Sequence, residues 1–333
     1  MITLDHPQGQ HRDRRRLVLI AAILFALFLL AVGTFWLLIS RGGAPGIGLP
    51  GVHGSTGPYS FDRTVTQVPK PLDVAFSPDG SKMYVAEGDG DYAVKVFDAK
   101  GKPLGDLTPP HTDQFTRLPM SIAVAPDGTV YVAERRLSQV MVYNKDGSFR
   151  GPFDPPGFGH WAPTAVAVDK NGLVYVAEAY EEPGHQRHRV YIFHPDGSLV
   201  RWFGQKGDGA SDLMYPSHLA IDGKGRIWVA DITGVKVFNS QGVYQFRLKG
   251  DGDSGVTLPG GLTYHDNKIY VTDITNHRAL VFDVSGDTPK FIAQFGELGF
   301  DKGQLRYPAG IAVSGNRIYI ANRENNRIDT WTP

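Results

Sequence analysis

The chain has 333 residues with 34 basic and 34 acidic side chains, so no overall field selects nucleic acid or another highly charged partner. It has no cysteine, which excludes disulfides, thiolate metal sites and a cysteine nucleophile. Its 40 glycines and 23 prolines are spread widely, as suits many short strands joined by tight turns.

Residues 1–16 are polar and too short to fold alone. Residues 17–39 are 23 uncharged, mostly apolar positions. As a helix they would reach about 34 Å, enough for a bilayer core of about 30 Å. The run exceeds the 7–15 residues of a usual signal-peptide core, and no small-x-small cleavage site follows, so a signal-anchor is expected. Arg12, Arg14, Arg15 and Arg16 precede it and only Arg41 follows closely, which places the N-terminus in the cytoplasm and the remainder outside. Residues 40–58 read as a Gly/Pro-rich stalk, with a coil span of about 20–25 Å.

From residue 59 onward one pattern recurs. Pro71, Pro119, Pro163, Pro216, Pro259 and Pro308 each precede two variable residues and an apolar pair, at intervals of 48, 44, 53, 43 and 49. In the first copy, Asp73–Phe76 is a short strand, Ser77-Pro-Asp-Gly80 a turn, Lys82–Glu87 a second strand, Ala93–Phe97 a third, and Leu104–Leu107 a fourth. Four antiparallel strands per period make a propeller blade, which buries its faces only against neighbours. The sequence therefore predicts an all-β, six-bladed propeller of four-stranded antiparallel blades over 59–333, preceded by one transmembrane helix. The sixth copy stops after its third strand, Arg327–Trp331. Residues 60–66 are expected to supply its fourth strand and close the ring, removing two exposed edges.

The pattern Pro-x-Gly-Ile-Ala-Val, Ile-Tyr-Val-Ala-Asp, then Asn-x-Arg resembles the NHL repeat. Blades five (Gly261 to Asp273, Asn276-His-Arg278) and six (Gly310 to Asn322, Asn325-Asn-Arg327) match it best. The connectors Phe203-Gly204…Leu213-Met-Tyr-Pro216 and Phe295-Gly296…Leu305-Arg-Tyr-Pro308 resemble that family's linkers. The resemblance implies a six-bladed propeller and no single function, because related propellers serve as docking scaffolds, sensors, RNA binders, lyases and lactonases.

Candidate sites lie where the repeat varies. Glu87, Glu134, Glu178, Asp231 and Asp273 end the second strands, with Asn322 in the sixth place; this ring reads first as structural, paired to loop backbone or to the Arg of Asn-x-Arg. Arg189, Arg278 and Arg327 are read at that Arg position. Two residues after each anchor proline stand Asp73, Ser121, Ala165, His218, Gly261 and Gly310. Asp73, Ser121, Glu178 and His218 are candidate ligand-binding residues at the channel mouth. Asp73 and His218, in opposite blades, are expected to lie too far apart to share a metal ion.

Blade three carries the longest segment between second and third strands. Glu181, Glu182, His185 and His188 within it are candidate partner-binding residues, with a zinc site as the sharper alternative. The resemblance to lyases implies zinc held by convergent histidines; His218 and His160 are the visible candidates. Lys249-Gly-Asp-Gly-Asp253 resembles a calcium loop but lacks the remaining ligands. No cofactor is required, and calcium or zinc at the channel mouth stays open. The expected function is a membrane-tethered, extracytoplasmic scaffold binding a protein, an envelope component or another ligand, without nucleic acid. The alternative is a metal-dependent lyase or lactonase around Asp73, Glu178 and His218.

Overall fold

The computed structural model describes residues 58–157, 161–248 and 255–333. The expected cytoplasmic tail and anchor, the stalk up to residue 57, His160 and Lys249–Asp253 lie outside them. No helix among the described residues is long and apolar enough to cross a membrane.

Strand β1 (Ser60–Gln67) precedes the first repeat. Blade one is β2 (Pro71–Phe76), β3 (Lys82–Glu87), β4 (Val94–Asp98) and β5 (Pro103–Leu107). Blade two is β6 (Pro119–Val124), β7 (Val130–Glu134), β8 (Gln139–Tyr143) and β9 (Phe149–Phe153). Blade three is β10 (Pro163–Val168), β11 (Val174–Glu182), β12 (His185–Phe193) and β13 (Leu199–Phe203). Blade four is β14 (His218–Ile221), β15 (Ile227–Asp231), β16 (Gly234–Phe238) and β17 (Tyr244–Leu248). Blade five is β18 (Pro259–His265), β19 (Lys268–Asp273), β20 (Arg278–Asp283) and β21 (Lys290–Phe295). Blade six is β22 (Pro308–Ser314), β23 (Arg317–Asn322) and β24 (Arg327–Thr332), completed by β1.

β1 runs antiparallel to β24, with Phe61 opposite Trp331 and Gln67 opposite Arg327. Thr64 Oγ1 donates to Asp329 Oδ1 at 2.6 Å across this seam. Phe61 and Trp331 meet edge-on, their ring centres 5.8 Å apart, and Tyr59 lies 5.3 Å from Phe295. The two ends of the propeller thus share one sheet.

Why these residues make blades is visible in the second strands. Val-Tyr-Val-Ala alternates side chains between two faces, and both faces are buried. Six hydrophobic clusters fill the spaces between consecutive blades. Phe153, Phe193 and Tyr191, for example, join blades two and three, and Phe203 with Phe238 join three and four. Burying one such side chain contributes about 1.5–3 kcal/mol, so a blade without its neighbours forfeits most of its core. The first strands line the axis and contact one another in ring order: β2, β6, β10, β14, β18, β22 and back to β2.

The first turn in blade one shows how the sequence sets local structure. Asp79 Oδ1 accepts from Ser77 Oγ at 2.6 Å and Ser81 N at 3.1 Å, while Gly80 takes the left-handed backbone (φ +68°). Blade five makes the same reversal with Asp266 and Asn267, both at positive φ, as a two-residue hairpin favours.

Strand alternation gives the ring two faces. The ends of the second strands and the linkers before the anchor prolines share a linker face. The turns after the first and third strands share a turn face.

Candidate functional site

The acidic ring is a set of backbone caps on the linker face. Glu134 Oε2 accepts from Leu118 N at 2.8 Å, Glu178 Oε1 from Ala162 N at 3.4 Å and Asp231 Oδ2 from Met214 N at 3.1 Å. Asp273 Oδ1 accepts from Leu258 N at 3.2 Å and Asn322 Oδ1 from Arg306 N at 2.9 Å. Each of these donors stands one or two residues before an anchor proline, so the acid fixes the entry of the next blade. Asp273 also accepts from Thr257 N at 3.0 Å and Asn276 Nδ2 at 2.8 Å. In blade one, Glu87 Oε2 accepts from Asp91 N at 3.2 Å and faces Lys95 Nζ at 3.8 Å. In blade four, where the repeat has Gly234 at the Arg position, the fully buried Lys236 supplies the cation, 3.6 Å from Asp231. Burial pushes the Glu134 carboxyl up to about 7, against the opposing pull of the Leu118 N–H and of Arg117.

Three expected site assignments change. Glu178 does not join the channel. It is completely buried in the middle of β11, where Arg187 Nε and Nη2 bond its two oxygens at 3.2 and 2.9 Å and Tyr191 Oη donates at 2.8 Å. The pairing cation is therefore Arg187, not Arg189: Arg189 stands opposite Glu178 in the hairpin, but its guanidinium stacks 4.0 Å from the Trp202 ring centre.

The long segment of blade three is a β-hairpin, not an irregular loop. β11 and β12 stay paired out to Glu182 opposite His185, and Pro183-Gly184 forms the reversal with Gly184 at φ +82°. His188 is completely buried. Its Nδ1 accepts from Tyr215 N at 3.1 Å and its Nε2 lies 2.9 Å from Glu181 Oε1. Lys206 Nζ holds both Glu181 oxygens at 2.6 and 2.7 Å, an interaction that lowers the carboxyl below its ordinary value. Of the four proposed partner residues, Glu182 and His185 remain exposed at the tip, Glu181 is tied to its neighbours, and His188 is a core group.

The distance across the axis is also corrected. Asp73 Oδ1 lies 3.8 Å from His218 Nε2. The reason is local: Gly261 and Gly310 occupy the equivalent positions and let their strands crowd inward. A Cβ on Gly310 would fall 2.4 Å from Asp73 Oδ1, and one on Gly261 would fall 2.6 Å from Ala309 O. Asp73 Oδ1 accepts from Val74 N and Oδ2 from Ile122 N, each at 2.8 Å, while Ser121 Oγ accepts from Val166 N at 3.3 Å. The side chains at this level thus satisfy the free edges of the innermost strands. Asp73, Ser121 and His218 line one end of an axial cavity of about 420 Å³. Neither His218 ring nitrogen has a hydrogen-bond partner among the described residues, and both are buried. No group of three His, Cys, Asp or Glu side chains among the described residues is placed to hold a metal ion.

Aromatic side chains on the linker face were missed because single apolar residues in linkers carry no periodic signal. Phe115 is 75% exposed and Phe300 68%; Tyr215, Tyr307 and Ile232 are exposed too. Arg136 lies over Tyr92 at 4.5 Å and donates to Arg117 O at 2.9 Å and Phe115 O at 3.5 Å. Arg306 lies over Phe300 at 4.1 Å. Tyr215 and Tyr307 both take left-handed backbone (φ +57° and +48°), and each N–H donates to a histidine Nδ1, of His188 and His277 respectively. Such a conformation costs about 1–2 kcal/mol in a residue with a side chain, offset here by the bond and by edge-on His–Tyr ring contacts.

Comparison with known proteins agrees with this architecture. The chain is 34% identical over 124 residues to the human E3 ubiquitin-protein ligase NHLRC1, which is 35% of this chain and 29% of that one. It is 26% identical over 202 residues to mouse NHL repeat-containing protein 3, covering 53% of this chain and 54% of the relative. The chain therefore spans between under a third and about half of these relatives. Among solved structures, a gluconolactonase of Xanthomonas campestris superposes with TM-score 0.61 at 14% identity, covering 86% of this chain and 98% of that one. Virginiamycin B lyase of Staphylococcus aureus gives TM-score 0.57 at 16% identity, covering 83% and 99%. At these identities the likeness is one of fold. The NHL repeat is itself matched at residues 305–328, the linker and first two strands of blade six with the start of β24.

Proposed function

We propose that this propeller is a docking scaffold that captures a protein partner on its linker face. The observation that carries the reading is the set of exposed aromatics there, Phe115, Tyr215, Phe300 and Tyr307, with Arg306 stacked on Phe300 and Arg136, itself stacked on Tyr92, donating to the Phe115 carbonyl. Tyr, Phe and Arg are the residue types enriched at interface centres. The rigid β-hairpin of blade three, with Glu182 and His185 at its tip, rises from the same face. The likeness to a ubiquitin ligase and to other NHL-repeat proteins supports a scaffold. The lyase or lactonase reading is not favoured, because Asp73 and His218 approach each other at the axis without a third His, Asp or Glu among the described residues placed to share a metal ion with them.

Tethering through residues 17–39, with the propeller outside the cytoplasm, belongs to the same proposal. β1 begins at Ser60, opposite Thr332, on the turn face.

A photo-reactive amino acid at Phe115 or Phe300 of the full chain is expected to give a discrete cross-linked adduct in cells, whereas one at Lys100 on the turn face gives none. Equal labelling at all three positions removes the proposed interface. Because the chain lacks cysteine, a single Lys302→Cys variant reports topology: a membrane-impermeant maleimide should label it on intact cells. Labelling only after lysis refutes the outside location.

A further inference from the structure

We infer that the axial channel is a binding site for a small organic ammonium. This stands apart from the docking face and does not rest on it. The channel is walled by the free edges of six strands, so it presents backbone groups more than side chains. Its ionisable lining groups among the described residues are Asp73, His218, Tyr264 and His265, with no lysine or arginine among them. Asp73 is buried, and the only basic side chain within 4 Å of it among the described residues is His218 at 3.8 Å.

Each Asp73 oxygen accepts one backbone N–H and retains capacity for another donor. His218 brings two buried ring nitrogens with no hydrogen-bond partner, one of which is an acceptor in the neutral ring. Ser121 Oγ lies at the same level of the channel. This end of the cavity is thus rich in acceptors, anionic and without a built-in cation. A primary ammonium has three donors and a single positive charge, and it matches Asp73 Oδ1, a His218 nitrogen and a neighbouring hydroxyl or carbonyl oxygen. An anion meets the Asp73 carboxylate instead. A divalent metal would find two side-chain ligands where a protein site ordinarily supplies three or more. The cavity volume of about 420 Å³ lies within the range of small-molecule sites. From Asp73 to Ser77 the strand runs roughly 13 Å, leaving room for a short ligand body toward Tyr264, His265 and Ser314.

The test uses the full chain and four probes: butylammonium, the equal-length anion butyrate, calcium and zinc. Calorimetry is expected to show saturable binding of butylammonium and none of butyrate. Nitrogen NMR of the imidazole rings is expected to shift the His218 signals, identified by their loss in His218→Leu. Asp73→Asn should weaken butylammonium binding at least tenfold, and His218→Leu several-fold. If Asp73→Asn does not fold, His218→Leu and the NMR shift decide. No butylammonium binding at millimolar concentration, preferential binding of butyrate, calcium or zinc, or ammonium binding unchanged in His218→Leu would each overturn the assignment.

Discussion

The rim of the linker face and the axis of the propeller treat buried polar groups in opposite ways. At the rim, Asp231, Asp273 and Asn322 are saturated by linker N–H groups and side chains, and the blades are locked in order. At the axis, His218 has no hydrogen-bond partner among the described residues, and the neighbouring carboxylate has no lysine or arginine among them. The rim spends its polar groups on structure, whereas the axis holds acceptors in reserve. Substitutions at the rim should therefore cost stability, and substitutions at the axis should cost binding.

The largest effect is expected at Asp273. Asp273→Ala strands the Thr257 and Leu258 N–H groups and leaves Arg278, 3.9 Å away, without this carboxylate. Breaking a buried ionic and hydrogen-bonded group costs about 3–5 kcal/mol, so urea unfolding should shift strongly. A loss under about 1 kcal/mol would show that the rim is not saturated in the sense described.

Glu134 sharpens the contrast from within the rim, because burial raises its carboxyl to about 7. A carboxyl raised in the folded state keeps its proton there while the unfolded chain releases it. Stability should fall as pH rises from the ordinary carboxyl range near 4.5 to about 7, by up to about 3 kcal/mol. Glu134→Gln preserves an acceptor for Leu118 N and should abolish that slope in a pH series of melting curves. A slope unchanged in the variant assigns it to another group.

His277 should behave with the opposite sign. Burial holds its imidazole below the ordinary value, and its Nδ1 must stay unprotonated to accept Tyr307 N. Stability should therefore fall as pH drops below about 6.5. His277→Leu should remove that acid-side step while lowering stability at neutral pH by about 1 kcal/mol through loss of the Tyr307 N–H acceptor.

The smallest effect is expected at the axis. His218→Leu replaces an unbonded buried imidazole with an apolar side chain, and should change stability by no more than about 1 kcal/mol. A loss as large as that of Asp273→Ala would mean that the Asp73–His218 approach is a structural clasp.

The fold was legible because it is repetitive. Six anchor prolines and six second strands fix the blade count, and the missing fourth strand of blade six points to residues 60–66, which fall within the observed β1. The caps at the rim were legible for the same reason. The partner of Glu178 was not: Arg189 stands opposite it in the hairpin, as Arg278 and Arg327 stand opposite Asp273 and Asn322, but Arg189 stacks on Trp202 and Arg187, two residues earlier, holds the carboxylate, while His188 turns inward. The Asp73–His218 distance was not legible either, since it depends on glycines in blades five and six that let other strands move in. Exposed Phe115 and Phe300 leave no pattern in the sequence at all, because exposure is decided by what the fold fails to cover.

The shared sheet of blade six has a consequence for the making of the protein. β1 contains residues synthesised first among the described strands, and β24 those synthesised last, with Thr64 and Asp329 separated by 265 positions. At roughly 5–20 residues per second, β1 waits about 15–50 s for its partner to be polymerised. Blades one to five can assemble in order meanwhile, but β1 stays an unpaired edge until β24 is made. The hazard is therefore concentrated in one strand, whose two bulges and adjacent charged residues Asp62 and Arg63 make it a poor template for pairing with a second copy.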